Sequence, residues 1–165
     1  MANKSNFTAE EWKAILSSPM LAGMAVTLAD PSGLWGLMKE GFASARALVD
    51  AKADAGASEL VKAVVADFET SEGRTIARDS IKAELTGKSR AEQKQRVLDS
   101  LAQAGKILDA KAPQDAAAYK AWLQGVADKV AQAASEGGTL GFGGVKVSEA
   151  EKATLADVSR ALSAA

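Results

Sequence analysis

The chain has 165 residues, of which 47% are hydrophobic and 25% charged, and its formal net charge is −1. This composition is that of an ordinary globular domain, and the balanced charge gives no overall field that would attract nucleic acid. Histidine and cysteine are both absent, which excludes disulfides, thiolate nucleophiles, imidazole or thiolate metal ligands and the usual general base near neutral pH.

The pattern of apolar residues predicts an all-α protein. Alanine is abundant and apolar side chains recur at helical spacing in most segments, whereas the alternation typical of strands is scarce. We expect a single domain over residues 1–165, with residues 1–6 as a flexible tail. The predicted architecture is an irregular bundle of about seven helices with a glycine-rich connection before the last helix.

The first two helices are predicted from their N-terminal signals. The capping box Thr8–Glu11 opens the first helix, since a threonine and a glutamate three residues later can bind each other's backbone amides. This helix should end near Leu16, because Ser18 and Pro19 are typical of a new N-cap and first turn. The second helix, residues 19–29, is apolar on nearly every side, which predicts a central buried element.

A third helix is predicted over residues 34–52, where apolar side chains recur with a period of about 3.6 residues. It contains Trp35 and Met38, which we group with Met20 and Met24 as the methionine–tryptophan surface. Methionine adapts to irregular apolar partners and tryptophan is a frequent interface anchor. These four residues either bind a partner or ligand, or fill gaps between helices.

The next helical signal begins at Ser58, an N-cap followed by an apolar stripe to Phe68. At residues 71–74 the pattern weakens around Gly73, so the helix either breaks there or tolerates a glycine. The apolar stripe then resumes and ends at Gly87, which is a residue typical of the position after a helix.

Three further helices are predicted in the second half of the chain. The capping box Ser89–Glu92 opens the first of them, Pro113 begins the second, and the capping box Ser148–Glu151 opens the last. Residues 137–145, which are rich in glycine, connect the last two helices.

The glycine-rich connection is also a candidate anion-binding loop. A glycine loop before a helix N-terminus offers backbone N–H groups to an anion, and Gly141, Gly143, Gly144 and Ser148 are the candidate residues. The segment lacks both the third glycine of the dinucleotide pattern and the Gly-Lys-Ser/Thr of the Walker pattern. We favour the interpretation as a tight connection.

A locally basic tract lies within residues 74–96, where acidic residues interrupt it. Arg78 and Lys82 are four residues apart and share a helix face, as do Arg90 and Lys94. The tract contains no aromatic residue on which a base could stack. We interpret it as a solvated face of mixed charge and expect no nucleic-acid partner.

The remaining chemistry-bearing residues do not form a recognisable catalytic pattern. Two acidic residues of the closest carboxylate pairs already belong to capping boxes, and none lies in an apolar run that would raise its pKa. We therefore expect no metal and no cofactor. An enzyme built from Arg74, Arg78, Asp79 and Tyr119 is the alternative, and it requires these four residues to converge in one cleft.

Two stretches resemble a group of bacterial all-helical proteins of similar size. They are Met24–Lys39 and Ala121–Glu151, the second of which includes Gly-Phe-Gly-Gly-Val-Lys-Val at 141–147. The resemblance would cover most of the chain and implies a bacterial origin. It implies no activity and no residue role.

These features predict a non-enzymatic interaction or structural protein, either self-associating or bound to a protein partner. Residues 1–11 lack the apolar run of a secretory signal, and the apolar stretch 20–29 is shorter than the roughly 20 residues that cross a membrane. We therefore expect a cytoplasmic protein without a membrane span. The alternatives are a carrier that holds an apolar small molecule at the methionine–tryptophan surface, and peripheral membrane attachment through residues 20–38.

Overall fold

The computed structural model describes residues 2–29, 50, 57–135 and 147–164. Within these ranges the chain forms a short 3-10 helix, Lys4–Asn6, and six α-helices, with no strand. The α-helices are α1 (Ala9–Ala29), α2 (Glu59–Glu69), α3 (Ser71–Leu85), α4 (Arg90–Lys111), α5 (Pro113–Ser135) and α6 (Glu149–Ser163). The predicted all-α class is confirmed.

Two predicted elements cannot be compared with this structure. Apart from Asp50, which is helical, the predicted third helix lies outside the described residues. The glycine-rich connection at 137–145 lies outside them as well. The predicted total of about seven helices therefore stays a prediction.

The helix α1 occupies the centre of the bundle and packs against each of the five other α-helices described. Most of its side chains between Trp12 and Thr27 are buried, which confirms the central position predicted for residues 19–29. By length and composition α1 is also apolar enough to cross a membrane, and 67% of its most apolar window is buried within the bundle. Its apolar side chains therefore supply the core that the other helices cover.

The helix break predicted at Ser18 and Pro19 is wrong, because α1 runs through both residues. Proline has no N–H, so the carbonyl of Ile15, four residues earlier, loses its usual helical donor. The Ser18 hydroxyl donates to that carbonyl oxygen at 2.7 Å, and the Tyr119 hydroxyl donates to it from α5 at 3.1 Å. Two side-chain donors thus replace the missing amide, and the helix continues.

Tyr119 is fully buried beneath α1. Its ring lies edge-on to that of Trp122, with 5.1 Å between the ring centroids. Burial raises the pKa of the Tyr119 hydroxyl well above its ordinary value, and the Ser18 hydroxyl, 3.3 Å away, opposes this increase only in part. The phenol is therefore protonated at neutral pH and acts there as a hydrogen-bond donor.

A single residue, Thr70, separates α2 from α3 and caps both helices. Its Oγ1 accepts the backbone N–H of Gly73 at 2.9 Å. A Cβ atom at position 73 would lie 2.1 Å from the carbonyl oxygen of Asp67, so a side chain does not fit there. Arg74 donates to the last two carbonyl groups of α2 at 3.0 and 2.8 Å. Of the two alternatives for residues 71–74, the structure shows the break, displaced to Thr70.

Within the described ranges, the three predicted capping boxes and two further helix boundaries are confirmed. The capping boxes Thr8–Glu11, Ser89–Glu92 and Ser148–Glu151 all have both of their reciprocal hydrogen bonds. Pro113 begins α5. Gly87, just beyond α3, has a φ of 77°, which lies in the left-handed region that favours glycine.

The N-terminal residues 2–6, which the sequence suggests as a flexible tail, lie against the bundle. The backbone N–H of Ala2 donates to the buried carboxylate of Asp115 at 2.7 Å. Lys4–Asn6 then forms the 3-10 helix, which Asn3 caps. These contacts hold the segment beside the start of α5.

Asp67 joins the N-terminal segment, α1 and α2 through one carboxylate oxygen. Its Oδ2 accepts from Trp12 Nε1 at 2.6 Å and from Lys4 Nζ at 2.9 Å. Burial alone would raise the pKa of Asp67, but the hydrogen bonds from Trp12 and Lys4 outweigh it and lower the pKa below its ordinary value. The ionised carboxylate is therefore the form that the fold prefers.

We expect Tyr119→Phe to lower the free energy of unfolding by about 1–2 kcal/mol, because it removes a buried donor from the Ile15 carbonyl. Pro19→Ala returns a backbone N–H to that carbonyl, so the tyrosine substitution should cost less in the Pro19→Ala background. Urea unfolding of the four proteins measures this coupling. An equal cost in both backgrounds would contradict the role assigned to the tyrosine hydroxyl.

We expect Gly73→Ala to destabilise the protein by about 3 kcal/mol, because its new methyl group collides with the backbone of α2. Gly125→Ala in α5 is the matched control, since a Cβ there meets no atom within 4 Å. The control should leave stability unchanged or raise it by up to about 1 kcal/mol. The urea concentration at the midpoint of unfolding is measured for both variants. Similar values would contradict the proposed collision between a side chain at position 73 and the backbone of α2.

We expect Asp67→Asn to be less stable than the wild type at neutral pH, and the difference should shrink in acid. A carboxyl group with a lowered pKa stabilises the fold fully above its ordinary pKa, and this stabilisation is lost as the pH falls through the folded-state pKa. Urea unfolding at about pH 7 and about pH 3 measures the effect. A difference that is the same at both pH values would contradict the proposed ionic contact.

Candidate functional site

Two residues of the predicted methionine–tryptophan surface, Met20 and Met24, are in the described structure. They lie one turn apart on α1, both half-buried, and they line a surface groove of about 340 Å³. Trp35 and Met38 lie outside the described residues. The groove therefore contains the part of the predicted methionine–tryptophan surface that lies within the described residues.

Helix α3 contributes a second set of side chains to the groove. Ile81 and Leu85 are buried and one turn apart, while Arg78 and Lys82 are exposed and also one turn apart. Because α3 packs against α1, these rows of residues face the same space as the methionines. The result is an apolar groove with cationic side chains on its α3 side.

Thr86 and Gln93 close one end of the groove, at the C-terminus of α3. Gln93 Nε2 donates to the carbonyl oxygen of Leu85 at 3.2 Å, and Thr86 Oγ1 donates to that of Lys82 at 2.6 Å. Both side chains therefore cap α3. The proton of the Thr86 hydroxyl is donated in this way, and no carboxylate that could act as a base is among the described residues of the groove lining.

Arg78 and Lys82 give the groove a positive side. Arg78 Nε donates to the neighbouring Asp79 carboxylate at 3.2 Å, and both side chains of this ion pair are exposed, which makes the pair weak. Lys82 makes no ion pair with any residue that the structure describes. No acidic residue is among the described residues that line the groove.

The groove is open to solvent along its length. Sites for small molecules usually enclose most of the ligand surface, whereas the lining of this groove comes from one side of α1, the second half of α3 and the first turn of α4. A surface of this form suits an elongated occupant that covers the groove from outside. This open form does not favour the carrier hypothesis for a small apolar molecule.

Of the four predicted anion-binding residues, only Ser148 lies in the described structure. Its hydroxyl accepts the backbone N–H of Glu151 at 3.2 Å as the N-cap of α6. Gly141, Gly143 and Gly144 lie outside the described residues. The oxygen of Ser148 is therefore already engaged in a helix cap.

The predicted basic tract is divided among structural contacts. Arg74 caps the C-terminus of α2, and Arg90 donates to two carbonyl groups at the end of α1 at 2.9 and 3.0 Å. Lys94 and Arg96 form ion pairs with carboxylates on α6 and α3, at 3.3 and 3.6 Å. The tract is thus not one continuous cationic surface.

The four residues of the enzyme hypothesis do not converge. Tyr119 is buried in the core and hydrogen-bonds to α1, whereas Arg74, Arg78 and Asp79 are exposed on α3. No cleft is shared by the phenol and the three charged groups. This placement gives the enzyme hypothesis no site.

The capping boxes also lower the pKa of carboxyl groups, which makes these groups unsuitable as general acids. A hydrogen bond from the backbone of Thr8 lowers the pKa of Glu11, and hydrogen bonds from Ser89 lower the pKa of Glu92. A general acid near neutral pH needs the opposite shift. Across the described ranges, no group of three or more acidic side chains is placed to hold a metal ion.

Sequence reasoning identified the pieces of the groove but not their combination. The spacing of Met20 and Met24, and that of Arg78 and Lys82, is visible in the sequence. Ile81 belongs to the apolar stripe that the sequence predicts before Gly87. The signal that could have joined them is the pairing of α1 with α3, which helical periodicity does not reveal.

No protein-family model, curated protein or solved structure matches this chain. The resemblance to bacterial helical proteins therefore stays a prediction. The function must be inferred from the chemistry of the groove itself.

Proposed function

We propose that this chain is a non-enzymatic interaction protein whose groove between α1 and α3 binds a helical segment of a partner protein. One observation carries the proposal: Met20 and Met24, half-buried on α1, and Ile81 and Leu85, buried on α3, line the groove in two rows, each with one-turn spacing. An amphipathic helix presents its own apolar side chains at the same spacing, and this is how helices bind in grooves.

The methionines suit this role. Met20 and Met24 remain partly exposed, whereas their neighbours Leu21, Ala22 and Ala25 are buried in the core. The unbranched thioether side chain changes rotamer at low cost and adapts to the shape of a bound surface. A partner helix would bury apolar area that the isolated chain leaves in contact with water.

The use of the reactive side chains also supports a non-enzymatic role. Tyr119 completes a helix, Glu11 and Glu92 bind N-terminal amides, and Ser148 caps α6. Each of these groups is held by a structural hydrogen bond. In a chain without histidine or cysteine, this leaves the shape of the helices as the main source of function.

Self-association is the other predicted role, and the many alanines and glycines of the chain favour close helix contacts. One of these glycines makes such a contact within the chain. A Cβ atom at Gly105 on α4 would lie 2.9 Å from the carbonyl oxygen of Leu162 on α6, so this glycine permits a close contact between the two helices. We therefore propose a different protein as the occupant of the groove. Self-association and a cytoplasmic location stay predictions, the first testable by the mass in solution.

The test uses a designed peptide of roughly 18 residues with leucines on one helical face and glutamine and serine on the other. The protein carries ¹³C-methyl-labelled methionine. We expect the methyl signals of Met20 and Met24 to shift on titration with this neutral peptide. Met24→Glu should weaken binding at least about tenfold, because it places a charge in the apolar contact.

The control for this experiment is Gln103→Glu, which adds the same charge at an exposed position of α4 that does not line the groove. It should leave affinity unchanged. If circular dichroism shows that Met24→Glu is unfolded, Met24→Gln replaces it in the experiment. The proposal is wrong if no methyl signal shifts up to about 1 mM peptide, or if the Met24 variants bind as the wild type does.

A further inference from the structure

We infer that the helix bound in the groove is acidic, with carboxylates along the side that faces Arg78 and Lys82. The inference rests on the proposed function and deepens it, since it names the chemistry of the partner. It is carried by charge complementarity: the groove has two cationic side chains along α3 and no acidic residue among its described lining.

The spacing of the two cations matches a helical partner. Arg78 and Lys82 are four residues apart on α3, which places their Cβ atoms about 5–6 Å from each other on one face. Glutamate or aspartate residues four positions apart on a partner helix have the same spacing. Both charges can therefore be paired at once by a helix that lies along α3.

The donors of Arg78 are only partly used inside the chain. Its Nε donates to Asp79, and its terminal NH₂ groups make no hydrogen bond to any residue in the described ranges. These groups can bind both oxygens of a carboxylate, which is the geometry in which arginine binds most specifically. The ammonium of Lys82 is likewise without an ion-pair partner in the described part of the chain.

The carboxylates of Glu84 and Asp79, which also lie on α3, do not neutralise the charges of Arg78 and Lys82. Glu84 accepts from the Ser100 hydroxyl at 2.6 Å and lies 3.6 Å from Arg96 Nε, so it is directed to α4. Asp79 pairs with Arg78 only at an exposed position, where such pairs are weak. The α3 side of the groove therefore keeps a net positive charge.

Binding would also strengthen the electrostatic interactions of Arg78 and Lys82 relative to those in the free chain. A helix lying over Met20 and Met24 excludes water from the rim, and charge pairs strengthen as the local dielectric constant falls. The same desolvation penalises a basic helix, which would leave Arg78 and Lys82 facing like charges. The groove should therefore discriminate between partners by charge.

The experiment compares three peptides with one leucine face and polar faces of glutamate, glutamine or lysine. Fluorescence anisotropy of labelled peptides measures their affinities. We expect the acidic peptide to bind most tightly and the basic one at least about tenfold more weakly. Added salt should lower the affinity of the acidic peptide and leave that of the neutral peptide unchanged.

Lys82→Glu supplies the critical variant. This variant should bind the acidic peptide more weakly and the basic peptide more tightly. Its affinity for the neutral peptide should be unchanged, which also shows that the variant is folded. Lys106→Glu, at an exposed position of α4 outside the groove lining, makes the same charge change and should alter none of the three affinities.

Each outcome has a distinct meaning. If the neutral peptide binds and the three affinities are equal, the acidic-partner inference is wrong and the proposed function stands. If no peptide binds, the proposed function itself fails. Binding to phosphatidylglycerol vesicles in place of peptides, or a dimer that shifts the Met20 and Met24 methyl signals on dilution, would assign the groove another occupant and overturn both.

Discussion

The structure depends on one carbonyl oxygen, that of Ile15 in the middle of the central helix. Pro19 removes its normal donor, and the hydroxyls of Ser18 and Tyr119 replace it. Without them a buried acceptor would be left unpaired, at a cost of about 1–3 kcal/mol. All five other described helices pack on α1, so the continuation of this helix through Pro19 is a condition for the whole bundle.

The continuity of α1 also connects the core to the groove. Met20 follows Pro19 directly, and Met24 lies one turn further on the same helix. Had α1 ended at Leu16, as the local signals predict, the two methionines would belong to a separate element with no set position relative to the buried first half of the helix. Instead one rigid helix carries core residues and groove residues on different faces, which holds the apolar rows of α1 and α3 in register.

The arginines show how the same residue type serves two purposes in this fold. Arg74 and Arg90 bind carbonyl groups at the C-termini of helices, where orphan acceptors and the helix dipole favour a cation. Arg78 donates through Nε to Asp79, and its terminal NH₂ groups make no hydrogen bond in the described part of the chain. The proposed recognition of an acidic helix thus uses a cation that the bundle does not need for its own stability.

Local interactions determined what could be predicted from the sequence alone. The three capping boxes, the start of α5 at Pro113 and the all-α class all follow from residues within one helical turn of each other. The spacing of Met20 with Met24, and of Arg78 with Lys82, is local in the same sense. Only the tertiary structure decided that Tyr119, 104 residues from Ile15, would complete α1, and that α1 and α3 would bring the methionines beside the cations, because helical periodicity specifies a buried face but not the helix that covers it.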